Sequence, residues 1–213
     1  MPLAVILILV SAQAGFAASL ALTSAHLTVV TKTYGAQVTC TLAAAADSYV
    51  DKLSATTNFG TNTLLNVSPN SLTTERAFIR FDLTTCSPAI PTDALVRSAS
   101  LRLTVATLTT ATRTVELRTA SSAWTETAVT WTTQPGASAT VSASLSVPLA
   151  TAAGTVLTWS ASADVQAFVS GAAANVGWRL GDSAEGVALG PVLSVDAREA
   201  ATGQPQLVVV YVP

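Results

Sequence analysis

Hydrophobic and polar residues alternate with a period of two along much of the chain. In residues 76–83, Ala77, Ile79, Phe81 and Leu83 fall on one face, with Arg76, Phe78, Arg80 and Asp82 on the other. In residues 98–105, Ala99, Leu101, Leu103 and Val105 alternate with Ser100, Arg102 and Thr104. In residues 113–119, Val115 and Leu117 oppose Glu116 and Arg118. This period is that of a strand with one face in the core and one in water. Residues 46–51, 64–68, 140–147, 156–159, 176–180, 193–197 and 206–212 read as further strands, separated by turns at Pro69, Pro88, Pro91, Pro135-Gly136, Gly154, Gly190-Pro191 and Gly203. Many short strands punctuated this way predict a sandwich or barrel of eight to ten strands. One segment breaks the period. Val165, Phe168 and Val169 have helical spacing, Ser162 is a candidate cap and Gly171 a candidate stop, so a short helix is expected near 163–170.

The first 22 residues carry no charge, and Leu3 to Val10 is an unbroken apolar run followed by Ala12-Gln13-Ala14 and Ala17-Ala18-Ser19. Residues 1–19 therefore read as a secretory signal peptide, or alternatively as a membrane or assembly segment. Residues 20–43 read as an extended stalk or edge strand, and residues 44–213 as one domain. Export to the cell surface or medium suits the two cysteines, Cys40 and Cys86, as a disulfide. The other reading of that pair is two buried thiols.

Of 213 residues, 6% are aromatic and 10% charged, and Ala, Val, Thr and Ser dominate. This composition excludes a disordered chain and a coiled coil. A net charge of -2 with only two lysines argues against nucleic acid as a partner. A membrane is met, if at all, through the N-terminal segment. Nucleotide-loop, zinc-protease and nucleophile-elbow motifs are absent, and the single histidine, His26, lies in the stalk. No pair of carboxylates stands out as a glycosidase dyad. The expected function is therefore non-catalytic.

Two features point to a ligand. Arg76, Arg80, Arg102 and Arg118 share the polar parity of their strands, so adjacent strands would gather them into a basic outward face. Guanidinium forks pair with carboxylates, which suits an acidic polysaccharide. Trp124 or Trp178 at the rim, with Phe78 on the face, could stack on sugar rings.

The motif order resembles the DNRLRE domain family. Ala46-Asp47-Ser48-Tyr49-Val50, Asn58-Phe59-Gly60 and Leu65-Asn66-Val67 open it, and residues 76–83 match its R-x-x-[LI]-x-F-D-L strand. Trp124-Thr125-Glu126, Val129-Thr130-Trp131 and Gln134-Pro135 follow, and the order closes with Asp164-Val165-Gln166, Gly177, Pro205-Gln206-Leu207 and Tyr211. The resemblance implies an all-β jelly-roll sandwich on a secreted or cell-surface protein that binds polysaccharide. Jelly rolls of this kind often hold a structural calcium ion, for which Asp47 and Asp51 are candidate ligands. A second reading is a structural subunit of a surface layer or filament, with itself or other surface proteins as partners. A third is an orphan polysaccharide lyase or hydrolase.

Overall fold

The computed structural model describes residues 35–213. The leader, stalk residues 20–34 and His26 lie outside the described residues. Ten strands follow: β1 Val38–Asp51, β2 Leu64–Val67, β3 Glu75–Phe81, β4 Leu95–Thr104, β5 Arg113–Thr119, β6 Ala143–Val147, β7 Val156–Ser160, β8 Trp178–Asp182, β9 Leu193–Asp196 and β10 Gln206–Val212. One helix, α1 Ser162–Val169, lies between β7 and β8. The fold is the expected antiparallel sandwich with one short helix.

A continuous ladder runs β6-β5-β8-β3-β1-β10-β4-β7. It makes two layers because β1 serves both. Residues 38–43 pair with β10 and residues 44–51 with β3, and the register shifts between Ala44 and Ala46. A bulge of this kind bends a strand and increases its twist. The first layer is the front of β1 with β10, β4 and β7. The second is the back of β1 with β3, β8, β5 and β6. The layers face each other: Trp159 Nε1 on β7 donates to Val115 O on β5 at 3.1 Å. Residues 38–43, part of the segment read from sequence as an extended stalk or edge strand, form the first half of β1 and pair with β10.

Parity decides the core. Leu101, Leu103, Leu207, Val209 and Tyr211 from the first layer meet Ile79, Phe81, Val115, Leu117, Trp178 and Leu180 from the second, all buried. Each such side chain contributes about 1.5–3 kcal/mol of hydrophobic stabilisation. Cys40 on β1 and Cys86 beyond β3 form a disulfide with Cα atoms 5.8 Å apart, within the normal range for a bridge.

The helix begins differently from expectation. Its N-cap is Ala161, with no side-chain cap, and Ser162 Oγ instead accepts from Ala99 N at 2.9 Å. The hydroxyl ties α1 to β4 because the helix docks on that strand. Gly171, at φ 74°, ends the helix as expected.

Candidate functional site

The outer face of the second layer is not simply wet. Residues 121–137, between β5 and β6, fold back over it. Trp124 packs on Phe78 with ring centroids 5.8 Å apart, and its Nε1 donates to Val176 O at 2.9 Å. Ala46, Val50, Phe78, Ala120, Trp124 and Val129 form a second apolar cluster there, with Trp131 and Val176 packed against it. Asn58 holds the loop down, its Nδ2 donating to Glu126 O and Val129 O at 2.7 Å each. A sheet face that carries Ala46, Val50 and Phe78 needs such a cover.

Beside this cover stands a group of three arginines. Arg118 on β5 pairs in register with Arg179 on β8, and Arg179 with Phe78 on β3. Arg76, two residues from Phe78, points to the same side. Arg118 holds Glu116, with Nη2 to Oε2 2.8 Å. Arg76 holds Glu185, with Nε to Oε1 2.9 Å, while its guanidinium carbon lies 4.6 Å over the Trp131 ring. Among the described residues Arg179 has no ion-pair partner. Its Nε is buried without a hydrogen bond. Burial, then repulsion from Arg76 and Arg118, lower its pKa in spite of nearby Glu185 and Glu116. Three cations against two carboxylates leave one positive charge in surplus, on Arg179.

A family model for carbohydrate-binding modules, family 96, matches residues 38–211. The chain belongs to carbohydrate-binding module family 96. No curated protein matches it.

Within this module the structure gathers only part of the residues singled out from sequence. Arg76 and Arg118 flank Arg179. Arg80, on the same face of β3, lies with its guanidinium carbon 5.9 Å from the Trp124 ring and lines a groove of about 400 Å³ with Asp82, Thr84 and Asn175. Arg102 does not join them. It is on β4 in the first layer, in register with Gln206 and Thr158, so it faces away on the far side of the sandwich. Trp178 is not at a rim. It is 1% exposed, edge-on to Phe81, and its Nε1 donates to Asp164 Oδ2 at 2.7 Å. Trp124 is buried as well, as the lid on Phe78. Phe78 is therefore unable to stack on a ligand. Arg179 and half-buried Trp131 were missed. Alternation along β8 reveals Arg179: with Trp178 and Leu180 inward, it must point out.

Asp47 and Asp51 do not share a metal site. Four residues along a strand separate their Cα atoms by about 13 Å, too far for two carboxylates to meet one ion at about 2.4 Å each. Asp47 instead meets Glu126 and Glu199, with one oxygen from each carboxylate lying within 4.8 Å of the others. Arg198 already supplies a cation to this trio. Its guanidinium bonds Glu126, Glu199 and Ala45 O, and its backbone N donates to Asp47 Oδ2 at 2.9 Å. Asp47 N in turn donates to Glu126 Oε1 at 2.9 Å. Burial raises the Asp47 carboxyl to about pKa 7, the Arg198 backbone bond working against that rise. The Arg198 guanidinium already neutralises Glu126 and Glu199, two of the three carboxylates, which leaves the trio little uncompensated charge for a structural calcium ion.

Proposed function

We propose that this module is exported, carries no catalysis of its own, and binds an acidic polysaccharide on the arginine face of β5, β8 and β3. The motif order of DNRLRE-type domains and the disulfide support its placement outside the cell. The observation that carries the ligand class is Arg179. A guanidinium held between two others, without a carboxylate of its own, is left to an anion that arrives from solution. Uronate groups spaced along a glycan chain suit a row of cations on a sheet. Arg76 and Arg118 orient the row through Glu185 and Glu116, and the Trp131 ring backs Arg76.

Affinity electrophoresis through gels containing polyuronates, sulfated glycans or neutral dextran tests this. At least one acidic polymer should retard the protein, dextran should not, and added salt should weaken the effect. Arg179→Ala should weaken binding about tenfold, or ~1.4 kcal/mol, while the strand-dominated circular dichroism is kept. Retention by dextran alone, or a variant retarded as strongly as the parent, would overturn the proposal.

A further inference from the structure

Six of the eight large apolar side chains that stand exposed among the described residues lie in four connections. They are Leu72 between β2 and β3, Leu108 between β4 and β5, Leu149 between β6 and β7, and Val187, Leu189 and Val192 between β8 and β9. The other two are Leu53, just after β1, and Val156, which opens β7. Antiparallel register puts all of them at one end of the sandwich: Asp51 pairs with Glu75, Val115 with Asp182, Arg113 with Val147 and Thr104 with Val156. The connections at the opposite end, the tryptophan-bearing loop included, expose none. Single apolar residues scattered over a surface are ordinary, whereas a set confined to one end marks a contact.

The four connections are fastened in pairs. Gly186 N donates to Pro69 O at 2.8 Å and Ser71 N to Val187 O at 2.7 Å. Thr109 N donates to Thr151 O at 3.1 Å, Ala150 N to Thr109 O at 2.9 Å, and Leu149 N to Thr112 Oγ1 at 3.0 Å. A cavity of about 400 Å³ takes Pro69, Val187, Leu189 and Pro191 from the first pair and Ala111 and Thr112 from the second. The leucines beside it project: Leu108, Leu149 and Leu189 are 58%, 59% and 87% exposed. The end thus offers both projections and a recess. Backbone bonds hold them before any partner arrives, so little ordering entropy opposes a contact.

Shape and charge select the partner. In an isologous contact one patch must supply both the projecting and the receiving surface, and this end does. Two copies of one patch also bring like charges together, which is costly. Residues 68–74, 105–112, 148–155 and 183–192 hold a single charged residue, Glu185, and Arg76 neutralises it. A lipid surface draws on basic residues beside the apolar ones. Lys52, the one basic residue between β1 and β2, already donates to Ser71 O at 2.7 Å. A sugar ring would stack on an aromatic side chain, and the four connections contain none.

We infer that this end joins two copies of the chain in a twofold dimer, the leucines of each copy seating against the recess of the other. Glu185, which holds Arg76, lies in the same connection as Leu189, so each copy carries its arginine face beside the contact. On the reading proposed above, one polysaccharide chain meets two such faces, and avidity adds to the affinity of each. The dimer itself does not rest on that reading.

Sedimentation velocity of the full chain, without glycan, from about 1 μM to about 500 μM tests it. The mass should rise reversibly from one chain to two and no further, with a Kd inside that range. Leu149→Ser and Leu189→Ser, at exposed positions and with unchanged circular dichroism, should each raise the Kd about tenfold. On dilution, the amide NMR signals that move should belong to residues 68–74, 105–112, 148–155 and 183–192. A chain that stays monomeric throughout, species larger than two chains, or association that both variants retain would overturn the inference. So would a monomer that sediments with phosphatidylcholine vesicles and is released by the same two substitutions, which would assign the leucines to lipid.

Discussion

Asp51 and Glu75 stand directly opposite one another across the β1–β3 ladder, so their side chains share a face. Asp51 Oδ1 accepts from Leu53 N at 2.9 Å and remains at the edge of solvent. Glu75 is buried, with Oε1 bonded to Asn66 Nδ2 at 3.1 Å and Oε2 without a partner. Burial, aided by the charge on Asp51 and opposed by the Asn66 bond, raises the Glu75 carboxyl to about pKa 7. Burial separates the two groups, and Glu75, the buried one, holds its proton far more tightly than a carboxyl in water.

This division sets a pH dependence. Glu75 and Asp47 both titrate near 7 in the folded chain, against reference values of 4.5 and 3.8. Between about pH 4 and pH 7 the folded state holds protons that the unfolded state has released, so stability falls as pH rises through that window. Urea denaturation should show a more stable protein at pH 5 than at pH 8. Glu75→Gln, which mimics the protonated form and keeps an acceptor for Asn66, should be more stable than the parent at pH 8 by on the order of 2 kcal/mol. It should also flatten the profile. A variant with the parental slope would contradict this.

The Cys40–Cys86 bridge spans 46 positions, and in the chain-entropy model a loop of that length is worth about 4 kcal/mol. It pins the front half of β1, which pairs only with β10 at that point, to the segment after β3. The double variant Cys40→Ala, Cys86→Ala should lose stability of that order in equilibrium denaturation while keeping its strand-dominated circular dichroism. A loss below about 1 kcal/mol would show that the unfolded chain is already constrained there.

Strand text was legible because burial on one side imposes period two. Residues 113–119 were read from alternation alone and are β5 to the residue. What alternation leaves open is which strands are neighbours. Arg102 has the parity of Arg80, yet the shared strand β1 places them in different layers. Phe78 has the outward parity read for it, whereas Trp124, expected at an exposed rim, is buried against it. The Asn58-held loop carries Trp124 over Phe78, a long-range contact that no local pattern encodes. Trp178 was misplaced for a different reason: its size suggested a sugar platform, while its parity with Leu180 already put it inside. Ser162 had the chemistry of a cap, but Ala99 of β4 competes for its hydroxyl.

The trio around Arg198 predicts a response to metal removal. Because the Arg198 guanidinium already pairs with Glu126 and Glu199, EDTA should leave the thermal midpoint of the parent unchanged. Arg198→Met should cost about 1–3 kcal/mol, since it strips charged hydrogen bonds from Glu126 and Glu199 beside an Asp47 that is 1% exposed. That loss should be smaller at pH 5 than at pH 8, because a protonated Asp47 no longer repels its neighbours. An EDTA-sensitive parent would show that the trio holds an ion despite Arg198.

The tryptophan-bearing loop rests on one close backbone approach. A Cβ placed on Gly60 would lie 2.2 Å from Glu126 O and 2.8 Å from its carbonyl carbon. The obstruction is backbone, so it cannot rotate aside. Gly60→Ala must therefore lift the segment that Asn58 clamps through Glu126 O and Val129 O. The expected cost is about 2 kcal/mol, within the range of single substitutions that force a packed segment to shift. Lifting the loop also moves Trp131 from beneath Arg76 and frees that guanidinium from its place beside Arg179. Polyuronate binding should weaken along with stability. Asn58→Ala removes the same two hydrogen bonds without adding an atom, so it should reproduce both effects in milder form. Gly60→Ala with parental stability and parental binding would show that the loop's position is not what holds the arginine row in place.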